Sequence, residues 1–222
     1  MKHSLVVATN NRGKLDELRH LLSGINVEIL AIQDVSKKPI HVVEDGDTFE
    51  ANAIKKAREV ANATMMLTLA DDSGLEVEAL GGAPGVRSAR FAGERATDAE
   101  NNAALLAALD ALTADEAGTR TGDFDARFRC VLALVDPFVR DGEPYVVEGT
   151  CNGKITRTPR GSGGFGYDPL FLVEGSDKTM AELTEDEKNS ISHRARAAQK
   201  VRLVLEKTLA ARDAITRSVT GG

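Results

Sequence analysis

Through the first 80 residues, short apolar runs alternate with segments of helical period, and no other feature of the chain restricts its fold as much. Ser4 to Ala8 is an apolar run of strand length, and Lys14 to Leu22 follows with Leu15, Leu18 and Leu22 at helical spacing. Val27 to Ala31 predicts a second strand. Residues 48–63 predict a helix with Thr48 as its cap, and Met66 to Ala70 a strand leading into Asp71-Asp72-Ser73-Gly74, read as a loop. Strands joined through helices need crossover connections, so the sheet should be at least partly parallel.

Further along, Leu75 to Ala79 predicts a strand before the turn Gly81-Gly82-Ala83-Pro84-Gly85. A helix over about 97–112 opens with Thr97 and Glu100 at capping-box spacing. Residues 113–125 are polar and carry two glycines, which predicts an exposed loop. Arg127 to Val135 and Tyr145 to Thr150 alternate and predict two longer strands joined by the turn-rich 136–144. A closing helix over about 190–212 carries Val201, Val204, Leu205 and Leu209 as an apolar stripe, and the tail beyond it is expected to fray. With no internal repeat and no linker, the expectation is a single domain spanning 1–222. Its fold class is α/β: an elongated mixed sheet with flanking helices and two lobes around a central cleft.

Composition narrows the function. Among 222 residues, 42% are hydrophobic and 28% charged, with a net charge of −6. An acidic balance argues against a nucleic acid polymer as partner, since duplex binding needs a broad basic surface. A small anion remains compatible, because a pocket can be locally positive on an acidic protein. No stretch is apolar enough to span a membrane, and Met1-Lys2-His3 runs straight into a strand without a signal peptide's apolar region, so the expected location is cytoplasmic. Cys130 and Cys151 lack metal-ligand spacing and are expected to be buried thiols.

Four segments carry candidate chemistry. Residues 161–169 read Gly-Ser-Gly-Gly-Phe-Gly-Tyr-Asp-Pro: four glycines in six positions, then Phe165, Gly166, Tyr167 and Asp168. In a chain with seven phenylalanines, two tyrosines and no tryptophan, rings beside a carboxylate on so bare a backbone suit the face and edge of a nucleobase. The same residues also suit a tight turn with core aromatics. Thr9, Asn10, Asn11, Arg12, Gly13 and Lys14 join the first strand to the first helix, where free amides and a lysine attract anions. They equally suit an Asn/Gly turn with a solvated lysine. Asp71 and Asp72 repel one another unless solvated or offset by a cation, and Glu44 adds an oxygen donor from another loop, which suits magnesium. Lys188, His193 and Arg194 cluster at the entry to the last helix, where Ser190 or Ser192 could cap it.

Taken in order, Val6 to Lys14, Thr48 to Ala53, Ala70 to Leu75, Gly81 to Gly85, Gly163 to Pro169 and Glu182 to Thr184 with Lys188 to Arg194 resemble the inosine triphosphate pyrophosphatase family, the XTP/dITP diphosphatases. The resemblance implies hydrolysis of a nucleoside triphosphate to its monophosphate and pyrophosphate with Mg2+, by a homodimer of two-lobed α/β subunits. Carried onto this chain, it implies that Thr9 to Lys14 hold the phosphates and that Glu44 and Asp72 hold the metal. Ser73 would touch the substrate, Phe165 to Asp168 would cover the base, Lys188 would reach phosphate, and His193 with Arg194 would read the base edge. Asp72 is the expected catalytic residue, orienting the attacking water or taking its proton; a metal-bound carboxylate is a poor proton acceptor.

The expected substrates are the non-standard purine nucleotides XTP, ITP and dITP. Donors aimed at a 6-oxo group would meet adenine's amino group, and each buried mismatch costs about 1–3 kcal/mol. Two rivals share the glycines and cations. A phosphotransferase would need an acceptor, and the chain lacks P-loop and kinase motifs. A non-catalytic nucleotide-binding module would have no use for Glu44 and Asp72 together.

Overall fold

The structure is a computed structural model and describes residues 2–113, 124–139 and 142–220. The loop expected over 113–125 falls mostly outside these residues, as do part of the 136–144 turn and the last two residues of the tail. The elements are β1 (His3–Ala8), α1 (Arg12–Leu21), β2 (Val27–Ala31), α2 (Ile32–Val35), α3 (Phe49–Thr64), β3 (Thr68–Val77), α4 (Asp98–Thr113), β4 (Phe124–Val135), β5 (Tyr145–Ile155), β6 (Phe171–Val173), α5 (Glu185–Ile191) and α6 (His193–Thr220). The six strands form one sheet in the order β2-β1-β3-β4-β5-β6. It is mixed as expected: β1 pairs in parallel with β2 and β3, and β5 pairs antiparallel with β6.

The chain resolves into two compact units. The first comprises Met1–Asp72, Val131–Gly149 and Arg194–Gly222. Here the run Leu5-Val6-Val7 is fully buried, as an interior parallel strand requires, with α3 packed against it. The α6 stripe behaves as its spacing predicts: Val201, Leu205 and Leu209 are buried and Val204 is half-buried. This helix continues to Thr220, past the predicted fraying point near 212. Two ion pairs hold that stretch: Arg212 grips Asp136 with two hydrogen bonds of 2.5 and 2.7 Å, and Asp213 meets His3 at 2.9 Å.

The second unit comprises Ser73–Cys130 and Thr150–His193. Its core gathers Leu75 and Val77 of β3, Leu105 and Leu109 of α4, Phe128, Ile155, Phe171 and Tyr167. Phe128 lies tilted against Phe171 at 4.5 Å and stacks on His193 at 4.8 Å between ring centroids. Both cysteines are buried and free, as expected.

Two local expectations are corrected. Asp71-Asp72-Ser73-Gly74 is not a loop: the two predicted strands on either side are one ten-residue strand, β3, with both carboxylates inside it. Nor do Lys188 and Ser190 lie at the entry to α6. Lys188 belongs to the separate helix α5, Ser190 bonds back to the Glu187 carbonyl within it, and Ser192, in extended backbone, ends it. The short helix has its own start signal, a capping box in which Thr184 accepts from the Glu187 N–H and Glu187 from the Thr184 N–H.

Lys178 also bonds Glu187 at 2.7 Å, and this bond, with the Thr184 amide, pushes the Glu187 carboxyl down to about 2 from its ordinary 4.5. A depressed folded pKa means the contribution to stability is complete above the unfolded value and is lost as pH falls toward 2. Side-chain NMR titration should show that low midpoint, and Lys178→Met should move it back up; a midpoint near 4.5 in the unmodified protein would refute the cap geometry.

Candidate active site

Residues of the first unit build a buried lattice of charge around β3. Side chains alternate along a strand, so Asp71 and Asp72 face opposite ways and find different partners. Asp71 is fully buried, taking Lys14 Nζ at 2.7 Å and Arg194 Nε at 2.8 Å. Arg194, itself 1% exposed, also pairs with Glu17 of α1. Burial works against the Asp71 charge, but Arg194 and then Lys14 overcome it and hold the carboxyl well below the usual range.

On the other side, Lys56 of α3 bonds Glu44 at 2.8 Å and Asp72 at 3.2 Å. Burial disfavours the Lys56 ammonium, yet Asp72 and Glu44 raise its pKa above the ordinary value. Glu44 is lowered: burial opposes, while Lys56 and then Lys14 prevail. Asp72 is raised, chiefly by burial and further by Glu44 and Asp71, against the pull of Lys56 and Lys14. Its Oδ2 is buried and, among the described residues, has no hydrogen-bond partner.

Lys56 had no place in the sequence reading, and Asn52 entered it only within the Thr48 to Ala53 segment, without a role. Asn52 is fully buried one helical turn before Lys56, and grips Gly46 two residues beyond Glu44. It accepts from the Gly46 N–H at 2.8 Å and donates to its carbonyl at 3.2 Å. A Cβ at Gly46 would stand 2.8 Å from that amide oxygen, so only glycine allows the approach. The Asn52 and Lys56 spacing within a helix was the one available signal, and it does not announce a loop partner.

The Thr9–Lys14 segment forms the expected strand-to-helix turn. Asn11 caps α1, accepting from the Lys14 N–H at 3.1 Å, and the Thr9 hydroxyl accepts from the Asn11 N–H. Asn10, Asn11 and Arg12 are exposed, Thr9 and Gly13 half-buried, and no acidic residue stands in the first turn. The Asn11 and Lys14 amides are thus taken, and those of Arg12 and Gly13 are the ones this turn offers to an anion.

In the second unit, the glycine-rich loop is self-locking. Asp168 Oδ2 accepts from the Phe165 N–H at 3.1 Å and from Lys188 Nζ at 2.8 Å, and Lys188 also lies 5.0 Å from the centre of the Phe165 ring. Gly164 has φ +71°, and a Cβ there would collide with the Asp168 carboxylate. Tyr167 points the other way: it is 3% exposed within the core, and its hydroxyl donates to the Ser88 carbonyl at 2.9 Å. Of the two rings, only Phe165 lies at the loop's half-buried surface. Ser73 is half-buried in β3 and His193 is buried against Phe128.

The chain that folds into this mixed sheet finds its counterpart among known proteins. The sequence model of the Ham1 family matches residues 5–203.

The chain belongs to the Ham1 family.

It is 50% identical over 203 residues to a dITP/XTP pyrophosphatase of Desulforamulus reducens, covering 91% of this chain and 96% of that one. A dITP/XTP pyrophosphatase of Geobacter sulfurreducens is 50% identical over 193 residues, covering 87% and 92%. The solved structure of a HAM1 protein from Coxiella burnetii aligns with TM-score 0.80 at 42% identity, covering 92% of this chain and 99% of that one. The family resemblance read from the six segments is thus borne out, and with it the mixed α/β fold.

A divalent cation fits the Ham1 arrangement on one structural ground. Glu44 and Asp72 offer carboxylate oxygens to a common neighbour, and Asp72 Oδ2 is buried with no hydrogen-bond partner among the described residues. An all-oxygen pair suits magnesium, which takes few protein ligands and completes its shell with water and phosphate. Among the described residues, no three His, Cys, Asp or Glu side chains form a closed cage.

Asp71→Asn would leave the buried Arg194 and the half-buried Lys14 against a neutral amide. Breaking such a pair costs on the order of 3 kcal/mol, so urea denaturation at pH 7 should show a loss of about that size. An unchanged midpoint would mean that Asp71 does not hold these cations.

Proposed function

We propose that this chain hydrolyses XTP, ITP and dITP to the nucleoside monophosphate and pyrophosphate with the help of Mg2+. It is a hydrolase of the nucleoside triphosphate anhydride bond, and its relatives carry the names of dITP/XTP pyrophosphatases. The observation that carries the reading is Asp72, buried, raised in pKa, sharing Lys56 with Glu44 and keeping one carboxylate oxygen without a partner. A module that only bound nucleotides would gain nothing from such a group.

In this reading, Glu44 and Asp72 hold magnesium, which supplies positive charge against the triphosphate and its leaving group. Thr9 to Lys14 present amides and an ammonium to the phosphates, and Lys188 offers a second ammonium. Lys56 pulls Glu44 and Asp72 toward their ionised forms against the burial that opposes both, and Asp72 orients the attacking water. Phe165 to Asp168 cover the base with Phe165 as the ring, while Tyr167 anchors the loop through the core and Ser73 touches the substrate. His193 and Arg194 address the base edge. Asp71 and Glu17 fix the guanidinium of Arg194 in advance, so its donors need no reorganisation when a 6-oxo group arrives.

The working form is a homodimer in the cytoplasm, where nucleotide pools need cleansing; sedimentation at twice the 23.7 kDa chain mass tests the dimer. No helix among the described residues is long and apolar enough to cross a membrane.

A nucleotide panel with chromatographically resolved products tests the activity. Pyrophosphate should appear from dITP, ITP and XTP with magnesium, without an acceptor, and ATP should turn over poorly. Orthophosphate as first product would overturn the cleavage position. Asp72→Asn should lower kcat by about 10²-fold or more, and turnover at the parent rate would remove Asp72 from the chemistry.

A further inference from the structure

One contact of the glycine-rich loop lies outside every role assigned above. The loop peptide at Gly166 is gripped on both sides by the first turn and a half of α4. Its N–H donates to the Asp98 carboxylate at 2.7 Å, and its carbonyl accepts from the Asn102 side-chain amide at 2.9 Å. The two side chains are four residues apart and so lie on one face of α4. That helix is held by the Thr97–Glu100 capping box and by the core residues Leu105 and Leu109. Gly166 has φ +63°, which favours glycine, and a Cβ there would meet nothing within 4 Å. Glycine at this position therefore serves the backbone conformation that the clamp holds, with no packing reason of its own.

We propose that Asp98 and Asn102 are positioning residues for base recognition, setting the Gly166 peptide and through it the height and tilt of the adjacent Phe165 ring. The lock formed by Asp168 and Lys188 shapes the loop internally, but both partners sit on or beside it. Asp98 and Asn102 tie it instead to a long helix seated in the core, and a pre-set ring costs less ordering when a base binds. The proposal rests on the reading of Phe165 as the base-covering ring. It predicts effects confined to the base end of the substrate, because both side chains bond the Gly166 peptide and, among the described residues, neither bonds Lys14, Glu44, Lys56 or Asp72.

Asn102→Asp is nearly isosteric and sets a carboxylate oxygen against the Gly166 carbonyl. Asp98→Ala removes the acceptor, whereas Asp98→Asn keeps one and should restore it. Steady-state kinetics with dITP should show KM rising about fivefold to tenfold in Asn102→Asp and Asp98→Ala. In both, kcat should stay within about twofold, and Asp98→Asn should lie near the parent. Inhibition by inorganic tripolyphosphate, which has no base, should keep its parent constant. Parent KM values in these variants, or a tripolyphosphate constant that moves in step with KM, would overturn the proposal. Phe165→Ala separates the two ideas. If it leaves the KM for dITP unchanged, the base-covering reading falls; if it raises KM while the α4 variants do not, only the clamp falls.

Discussion

Asp71 sits mid-strand with no solvent contact, and a charge there is tolerable only because two cations reach it from different parts of the chain. Lys14 comes from α1 and Arg194 from α6, so one carboxylate links three elements far apart in sequence. Glu17 completes the chain of charge by taking a second nitrogen of Arg194. Burying an arginine, a lysine and two carboxylates is costly, and replacing them by apolar side chains would often stabilise a protein as well or better. What the ions add is direction: each guanidinium and ammonium is fixed in place beside the anion-attracting start of α1.

A second device recurs in both units, each time on a glycine peptide. In one, Asn52 holds both backbone groups of Gly46 and so places Glu44. In the other, Asp98 and Asn102 divide the same task at Gly166. Loops cannot fix a functional side chain through their own few contacts, since ordering each residue costs about 1–2 kcal/mol of entropy. Borrowing hydrogen-bond partners from a packed helix transfers the rigidity of the core to the loop. The glycine is needed for close approach at Gly46 and for backbone conformation at Gly166, two different reasons for the same residue.

Elements whose apolar period was clear in the sequence took their predicted form: β1, β2, α3, α4 and the stripe of α6 all rest on local patterning. The caps at Thr48 and Thr97 were legible for the same reason, because a capping residue acts within four positions. Failure came where tertiary partners override local chemistry. Two adjacent aspartates read as a loop, and only Lys14, Arg194 and Lys56, none of them nearby in sequence, make them a strand. Ser190 read as one of two candidate caps of the last helix but lies inside α5, whereas Ser192, the other candidate, directly precedes α6 in extended backbone. Tyr167 read as a partner of Phe165 over a base, but a hydroxyl that finds the Ser88 carbonyl is enough to hold it in the core. Lys56 carried no motif at all, and Asn52 lay in a matching segment that gave no hint of its loop partner.

The Asp71–Asp72 pair shows why adjacency matters more than acidity. Strand geometry turns neighbouring side chains to opposite faces, so the two carboxylates are adjacent in sequence yet bond different partners. Asp71 meets two cations and no nearby acid in its bonding, which drives its pKa down; Asp72 meets one shared cation, burial and Glu44, which drive its pKa up. Identical groups thereby acquire separate tasks, one fixed as a permanent anion that orients Arg194 and Lys14, the other left with an unsatisfied oxygen. A single carboxylate serving both tasks would have to divide its lone pairs between structural cations and a ligand. The second aspartate is thus what allows a site to be rigid and still keep an oxygen for its ligand.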